Sequence, residues 1–427
     1  MSCDIRAMWE LVGGKTPAHW SFTTLEKLLE TPKSVSVGVM YPGADTKGGV
    51  PLIRVSDVKN GALVGKPDFC ISAEVDEEYK RTRLNGTELL ITLVGNPGDC
   101  ILVTEEMKDW NAARALAVVR LKNLELREWL RYVLLSKPAK HIIDARLNTT
   151  VQKTLNLKDV KELPIPLPPE SERDLITKNI RDIEKKRVIN SQTNQTLEQM
   201  AQAIFKSWFV DFDPVKAKMN GKQPEGMDTV TASLFPEKLV ESELGLIPDG
   251  WNAVQVGDIV QRLKPKKRYT KKQVEPYGKT PVYEQGASIL LGFHNDDAGF
   301  EASPEAPVFI FGDHTCITHL SCSKFDISSN VIPLQGSVRP TIWTYYAIQG
   351  KQEFQEYRRH WSEFIIKDVV LPPVELAEKY AELVTTKYLM MESLKRQSKE
   401  LEQLRDTLLP KLLSGEIELS KVEALNE

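Results

Sequence analysis

Leu167-Pro168-Pro169 opens a run of about forty residues without proline or glycine, and Leu371-Pro372-Pro373 opens a second run of similar length. A shift of 204 residues lays one triplet on the other. The same shift lays Leu197-Glu198-Gln199 on Leu401-Glu402-Gln403 without a gap. Two identical triplets in one register indicate an internal repeat. The sequence therefore predicts two structural units, each followed by a long helix.

The second run has apolar residues at alternating steps of four and three, which share one face of a helix. A sustained 3.5-residue repeat requires a partner helix along its length. The first run follows the same spacing, but its middle is polar at Arg187, Asn190 and Asn194. With Lys387 and Gln397, these polar positions are candidates for fixing the register of the pair. The stripe predicted for the second helix is Leu376, Tyr380, Leu383, Lys387, Met390, Leu394, Gln397, Leu401, Leu404 and Leu408. The alternative is that each helix is the buried spine of its own globule.

Composition limits the classes of protein to consider. The chain has 427 residues, 41% hydrophobic and 27% charged, with a net charge of -3. These values are typical of a soluble globular protein with about three domains. No apolar run reaches the roughly eighteen residues of a membrane span. Five scattered cysteines without a Cys-x-x-Cys pair favour a reducing, cytoplasmic location.

The sequence before each long helix predicts a mixed α/β globule. Each globule has short β-rich runs separated by turn signals such as Asn60-Gly61 and Asn96-Pro97-Gly98. The prolines from Leu163 to Pro169 predict an extended strut and forbid helix before Glu170. The predicted strands are Val50 to Val55, Leu89 to Val94, Cys100 to Val103, Ala115 to Leu121, Val308 to Phe311, Val331 to Leu334 and Ile366 to Leu371; the predicted short helices are Arg127 to Ser136 and Thr341 to Ile348.

Three blocks carry a resemblance to a known family. Leu197 to Val215 contains Ile-Phe-Lys-Ser-Trp-Phe-Val-Asp-Phe-Asp-Pro-Val, and Leu244 to Trp251 reads Leu-Gly-Leu-Ile-Pro-Asp-Gly-Trp. Leu408 to Ile417 reads Leu-Leu-Pro-Lys-Leu-Leu-Ser-Gly-Glu-Ile. These blocks resemble the conserved regions of type I restriction-modification system specificity (S) subunits. Met1 to Thr16 is a poor copy of the Ile-Pro-x-Gly-Trp opening of the second globule.

The resemblance implies an α+β fold in which two mixed α/β target-recognition domains are separated by two long antiparallel helices. These helices form a coiled coil with an internal pseudo-two-fold repeat. The implied segments are recognition domain 1 (1–169), a central conserved region (170–243), recognition domain 2 (244–373) and a C-terminal conserved helix (374–427).

The family's role implies that this chain is a non-catalytic subunit that reads a split site in double-stranded DNA. The implied partners are two methyltransferase subunits and, in the full enzyme, restriction subunits. S-adenosylmethionine, and ATP with magnesium, are expected on those partners and no cofactor in this chain. The helices are expected to set the distance between half-sites.

DNA readers need cations for phosphates and paired donors and acceptors for base edges. In the second globule, seven cations fall within eleven residues, interrupted by Pro265 and Tyr269. Such a loop suits a phosphate backbone, although a charge run is also typical of solvated surface. A second basic cluster precedes Trp361. The predicted cations are Arg262, Lys264, Lys266, Lys267, Arg268, Lys271, Lys272, Arg358 and Arg359.

The first globule is less basic. Its nearest equivalent cluster is Lys80, Arg81 and Arg83. Polar residues beside turn signals are candidates for reading bases, and turn formation is the alternative for each of them. These candidates are Arg54, Ser56, Asn60, Asn96 and Asn111.

Other functions have weaker signals. Gly13-Gly14-Lys15-Thr16 lacks the first glycine of a phosphate-binding loop, because Trp9 stands in its place. His314, Cys316, His319 and Cys322 are metal-capable, but four ligands in nine residues converge with difficulty. Pro67-Asp68 and Glu78-Tyr79-Lys80 match the loose pattern of a metal-dependent endonuclease, which requires a strand where the sequence favours a helix or turn. A coiled-coil scaffold that binds only protein is a further alternative.

Overall fold

The computed structural model describes residues 4–59, 61–147, 153–356 and 358–417. The chain divides into two compact units, Met1–Lys186 with Glu400–Glu427 and Arg187–Lys399. The boundaries of the four segments predicted from the sequence stay a prediction. Within the described ranges, every helix is too short or too polar to cross a membrane.

Among its described residues, the first unit combines six short helices with eleven strands. Its helices are α1 Ile5–Leu11, α2 Leu25–Leu28, α3 Ala73–Glu78, α4 Leu126–Leu135, α5 Lys137–Ala145 and α6 Leu157–Lys161. Its strands are β1 Ser21–Thr24, β2 Val35–Val37, β3 Val50–Ile53, β4 Val58–Lys59, β5 Ala62–Leu63, β6 Cys70–Ile71, β7 Leu89–Thr92, β8 Cys100–Leu102, β9 Asn111–Ala112, β10 Leu116–Val119 and β11 Pro164–Leu167.

The first long helix is α7 Glu170–Phe209, which supplies residues to both units. In the second unit, the other helices are α8 Asp213–Met219, α9 Thr229–Ser233, α10 Val256–Ile259, α11 Thr341–Ile348 and α12 Trp361–Phe364. The strands are β12 Leu239–Ser242, β13 Gly245–Pro248, β14 Asn252–Gln255, β15 Val260–Arg262, β16 Arg268–Tyr269, β17 Thr280–Tyr283, β18 Leu290–His294, β19 Val308–Gly312, β20 Thr318–Ser321, β21 Asp326–Ser328, β22 Val331–Gly336 and β23 Asp368–Leu371. The second long helix, α13 Val374–Ser414, again supplies residues to both units.

The internal repeat is confirmed by strand topology. The antiparallel four-stranded sheet has the order β2-β10-β7-β8 in the first unit and β15-β22-β19-β20 in the second. In each unit, the strand before a long helix pairs antiparallel with an early strand, β1 with β11 and β14 with β23. A short parallel pair lies at the same place in each unit, β3 with β9 and β16 with β21, and β17 of the second unit also pairs parallel with β21. Two globules of one topology therefore precede two similar helices.

The counterpart of the Ile-Pro-x-Gly-Trp opening lies later than the sequence comparison placed it. Trp251 directly precedes β14, and Trp20 directly precedes the equivalent strand β1. Both indoles are buried. The first copy is therefore Pro17 to Trp20, beyond the window that ends at Thr16. The intervening residues differ between copies, so the repeat is visible in the strand rather than in the motif.

A short helix ties each sheet to the long helices. α4 contains Trp129 and Tyr132, and α11 contains Trp343 and Tyr346 at the same spacing of three. Both tryptophans are fully buried. Because residues three apart share a helix face, each tyrosine lies on the face that its tryptophan anchors.

The long helices pair antiparallel within each unit. In the second unit, Tyr380 Oη donates to the carbonyl of Ala201 at 3.1 Å. Asn190 Nδ2 donates to Gln397 Oε1 at 2.8 Å. Within this unit, the start of the α7 segment therefore meets the end of the α13 segment. In the first unit, Glu184 of α7 lies 3.7 Å from Arg405 of α13.

Each hydrophobic core contains a segment of both long helices. Ile176 and Ile180 share the first core with Leu412 and Leu413. Ala201 and Phe205 share the second core with Leu376 and Tyr380. The alternative in which each helix serves only its own globule is therefore wrong.

The predicted stripe of α13 is wrong in its middle. Leu383 is 41% exposed and Met390 is 50% exposed, whereas Val384, Tyr388 and Met391 are buried. An α-helix has 3.6 residues per turn, so a strict 3.5-residue stripe drifts by about 20° per heptad. The contact face moves to the neighbouring positions as the drift accumulates. The polar seam of α7 is confirmed at Asn190, which is buried and bonded across the pair.

Candidate nucleic-acid interface

The candidate surfaces of the two units begin at topologically equivalent turns. β3 is followed by the 3-10 turn Val55–Asp57, and β16 is followed, after Thr270, by the 3-10 turn Lys271–Gln273. The Arg54 amide donates to Asp57 Oδ2 at 2.8 Å, and the Thr270 amide donates to Gln273 Oε1 at 3.0 Å. The same backbone device therefore fixes both turns, although their sequences share no residue.

In the first unit, the Arg54 side chain is held by its own neighbours. Its guanidinium pairs with Asp68, lies 3.7 Å from Asp57 and stands over the Phe69 ring at 5.3 Å. Ser56, two residues further, is exposed on the turn. Arg54 is therefore a partly neutralised cation, whereas the exposed Ser56 hydroxyl donates to its neighbour Asp57, at 3.1 Å from Oδ1.

The Lys80 to Arg83 cluster is also paired with carboxylates. Lys80 Nζ lies 3.0 Å from Glu77 Oε1, and Arg83 Nε donates to Asp76 Oδ2 at 2.7 Å. Hydrogen bonds from Lys80 and Arg83 lower the pKa of Glu77, which keeps that carboxylate charged. Arg81 is exposed and has no ion pair with any described residue. The cluster therefore presents one unpaired cation.

The three asparagine candidates have different environments. Asn96 is exposed on the turn between β7 and β8. Asn111 is fully buried, and its amide donates to Asp76 Oδ1 at 2.9 Å while its carbonyl accepts from Thr82 at 2.8 Å. This burial removes Asn111 from the surface that DNA can reach. Asn60 lies outside the described residues.

The basic loop of the second unit alternates between anchors and exposed cations. Arg268 turns inward, where its guanidinium donates to the carbonyls of Ser328 at 2.7 Å and Val331 at 2.9 Å. Burial lowers the pKa of Arg268, with a smaller contribution from the nearby charge of Arg262. Arg268 is therefore an anchor of the loop. The exposed cations are Arg262, Lys264, Lys266, Lys267, Lys271 and Lys272.

The predicted arginine pair 358–359 has one member held by two carboxylates and one that is largely exposed. Arg358 pairs with Glu363 and, at 2.8 Å, with Glu356. Arg359 is 78% exposed at its side chain and lies 3.8 Å from Asp313. The guanidinium of Arg262 stands 5.9 Å from the Trp361 ring centre, so the basic loop begins beside this segment. The structure thus brings the two predicted basic clusters of the second unit together.

A buried polar network beneath the loop was missed by sequence reasoning. The Tyr269 ring stacks on His294 with centroids 4.2 Å apart, and His294 Nε2 lies 3.0 Å from Asp326 Oδ2. The Gly299 amide donates to the same carboxylate oxygen at 2.9 Å. A Cβ at Gly299 would lie 2.2 Å from Asp326 Oδ1, so only glycine allows this approach. No local signal joins these residues, because they come together from three separate strands and a loop.

The metal and nuclease alternatives receive no support from the described residues. None of their His, Cys, Asp and Glu side chains gather in a group of three that is able to hold a metal ion. Burial lowers the pKa of His319 to about 4 and raises the pKa of Cys322 to about 12. Glu78 ends a helix rather than occupying a strand, and Asp68 is paired with Arg54.

Comparison with known proteins identifies relatives. Residues 44–199 match the family model described as "Type I restriction modification DNA specificity domain". The specificity subunit of the type I restriction enzyme EcoBI from Escherichia coli is 33% identical over 168 residues, which are 39% of this chain and 35% of that subunit. The HindI specificity subunit of Haemophilus influenzae is 26% identical over 86% of this chain and 94% of its own length.

A crystal structure of a type I restriction-modification system S subunit from M. genitalium is also similar. It covers 92% of this chain and 96% of its own chain at 15% identity, with a TM-score of 0.49. Residues 44–199 therefore resemble a type I restriction modification DNA specificity domain, and the relatives named above are specificity subunits of type I restriction enzymes.

Proposed function

We propose that this chain reads a split site in double-stranded DNA, with one half-site bound by each globule, and directs adenine methylation or restriction by partner subunits. Two methyltransferase subunits and restriction subunits are the proposed partners. S-adenosylmethionine, and ATP with magnesium, then belong to those partners. The proposed location is the cytoplasm, where chromosomal DNA and S-adenosylmethionine meet.

The repeated topology carries this proposal. Two globules with one strand order, each joined to one end of a similar helix, are what a reader of two half-sites requires. A continuous site would need only one such globule. The relatives are named specificity subunits of type I restriction enzymes, which agrees with a recognition role.

The side chains on the two candidate surfaces divide between two tasks. Ser56 and Asn96 are exposed and uncharged, and hydroxyl and amide groups bond base edges in the major groove. The exposed lysines of the second unit suit phosphates, which position the protein without reading sequence. The predicted contact residues other than Asn60, Arg268 and Asn111 remain the proposed set.

The proposal is tested by mapping modified adenines in the native genome. We expect a two-part motif with a constant unread spacer, and its loss when the gene for this chain is deleted. Ser56→Ala with Asn96→Ala should relax one half of the motif and leave the other half unchanged. Lys271→Ala with Lys272→Ala, which removes proposed phosphate contacts in the other unit, is the control and should lower the extent of modification without relaxing either half of the motif. A continuous motif, or modification that persists after deletion, would overturn the proposal.

A further inference from the structure

Topologically equivalent segments of the two units differ sharply in charge. Residues 38–57 connect β2 to β3 and end with the first 3-10 turn, and residues 263–273 make the same connection in the second unit. The first segment contains two cations and two carboxylates. The second contains six cations and no carboxylate. One position in the fold is therefore electrically neutral in one unit and strongly positive in the other.

Ion pairing widens this difference. Of the two cations in the first segment, Arg54 is engaged by Asp57 and Asp68. In the second segment, Lys267 lies 3.7 Å from Asp296, with its ammonium group 4.3 Å from the Tyr269 ring centre. Lys264, Lys266, Lys271 and Lys272 are exposed and form no ion pair with any residue in the described ranges. We name these four residues the lysine face.

The loop that carries the lysine face is held by buried anchors. Arg268 donates to two main-chain carbonyls, and Tyr269 is buried against His294. Thr270 caps the turn that presents Lys271 and Lys272. Fixed main chain with projecting ammonium groups lowers the entropic cost of meeting a rigid polyanion. A random solvated charge run has no such anchors.

We propose that the lysine face binds the phosphate backbone of duplex DNA irrespective of sequence and supplies most of the salt-dependent affinity of this chain. The equivalent segment of the first unit contributes little to that affinity. This inference rests on the proposed function, and it adds a division of labour. The second unit makes the sequence-independent contact with DNA, and the first unit acts chiefly through base recognition.

The expected effect follows from counterion release. Each phosphate neutralised on B-form DNA contributes about 0.9 to the slope of log K against log salt. Four lysines therefore account for a slope of about 3.6. Between 50 and 200 mM salt, such a slope corresponds to roughly 150-fold in affinity.

The test measures binding of the full-length chain to a fluorescein-labelled duplex of scrambled sequence at several salt concentrations. One variant replaces Lys264, Lys266, Lys271 and Lys272 by glutamine. The matched control replaces Lys47, Lys66, Arg114 and Lys122 by glutamine, four exposed cations of the first unit without ion pairs among the described residues. Both variants lose the same formal charge. We expect the slope to fall by about three to four for the first variant and by less than one for the control.

Equal losses of slope in the two variants, or a larger loss in the control, would overturn the inference. A second duplex carrying the motif mapped from modified adenines separates this failure from failure of the proposed function. A wild-type preference for that motif with equal slope losses rejects only the inference, whereas unequal losses without a preference reject only the proposed function. If the quadruple variant does not fold, Lys271→Gln with Lys272→Gln should still lower the slope by about 1.8.

Discussion

Tyr346→Phe is predicted to destabilise the second unit far more than Tyr132→Phe destabilises the first. Both tyrosines lie three residues after a fully buried tryptophan in the helix that ties each sheet to the long helices. Tyr346 Oη donates to Glu198 Oε1 at 2.8 Å, whereas Tyr132 Oη lies 3.4 Å from Glu184 Oε2. The same substitution at equivalent positions therefore removes a short hydrogen bond in one unit and a long one in the other.

The magnitude follows from the contacts of Glu198. Its other oxygen accepts from Tyr388 Oη at 2.7 Å, and the two tyrosine hydroxyls are 2.8 Å apart. Tyr346 and Tyr388 are each 4% exposed. Burial raises the pKa of each well above its usual value, and the charge of Glu198 also raises it, so both remain hydrogen-bond donors. A hydrogen bond to a charged group contributes about 1.5–3 kcal/mol, so Tyr346→Phe should cost about 2 kcal/mol.

The Tyr132→Phe control should cost no more than about 0.5 kcal/mol. Glu184 keeps a 2.8 Å bond from Arg131 after this substitution, and its bond from Tyr132 is already near the limit of hydrogen-bond length. Native-state hydrogen exchange read by mass spectrometry reports the free energy of opening separately for each unit. Equal costs in the two units, or a cost below about 0.5 kcal/mol for Tyr346→Phe, would refute the reasoning.

Three further predictions follow from the structure. Burial lowers the pKa of His319 from 6.5 to about 4, so the folded state binds fewer protons than the unfolded state between these pH values. The free energy of unfolding of the second unit should therefore fall by up to about 3 kcal/mol as the pH falls from 6.5 to 4. Chemical denaturation should show this pH dependence in the wild type and not in His319→Gln. Lys266→Ala with Lys267→Ala should weaken binding to all duplexes and lower the salt slope by roughly 0.9 to 1.8 in fluorescence anisotropy, because Lys267 is partly paired with Asp296; an unchanged slope would mark the loop as solvated surface. Residues 186–192 and 395–401 form one matched heptad in each long helix. Their removal should shorten the unread spacer by up to about three base pairs in genomic methylation maps. An unaltered spacer would contradict the expectation that the helices set the distance between half-sites.

The regular elements were largely predictable because their signals are local. Prolines up to Pro169 forbid helix, and α7 begins at Glu170 as predicted. The helix predicted for residues 341–348 has those bounds, and the predicted strands at 308–311 and 331–334 are β19 and β22. The predicted apolar stripe of α13 was wrong in its middle, because the buried positions depend on a partner helix that sequence spacing does not show.

The candidate surfaces were less predictable. Arg54, Arg83 and Arg358 belong to the predicted basic clusters, but each is paired with carboxylates that approach through folding. Asn111 follows a loop in sequence and is fully buried in the structure. Composition counts cations, whereas binding depends on cations that remain unpaired and exposed.

The sequence by itself determined the two-fold repeat, the position of both long helices and the resemblance to a family, because residue order encodes helical periodicity, proline breaks and conserved blocks directly. Only the tertiary structure decided that each core takes one segment of both helices, with Leu412 and Leu413 packed beside Ile176. It also decided that the lysine face forms no ion pair with described residues, whereas Arg54 is partly neutralised by carboxylates. Packing and ion pairing join residues far apart in the chain, and their free energy depends on distances that exist only after folding.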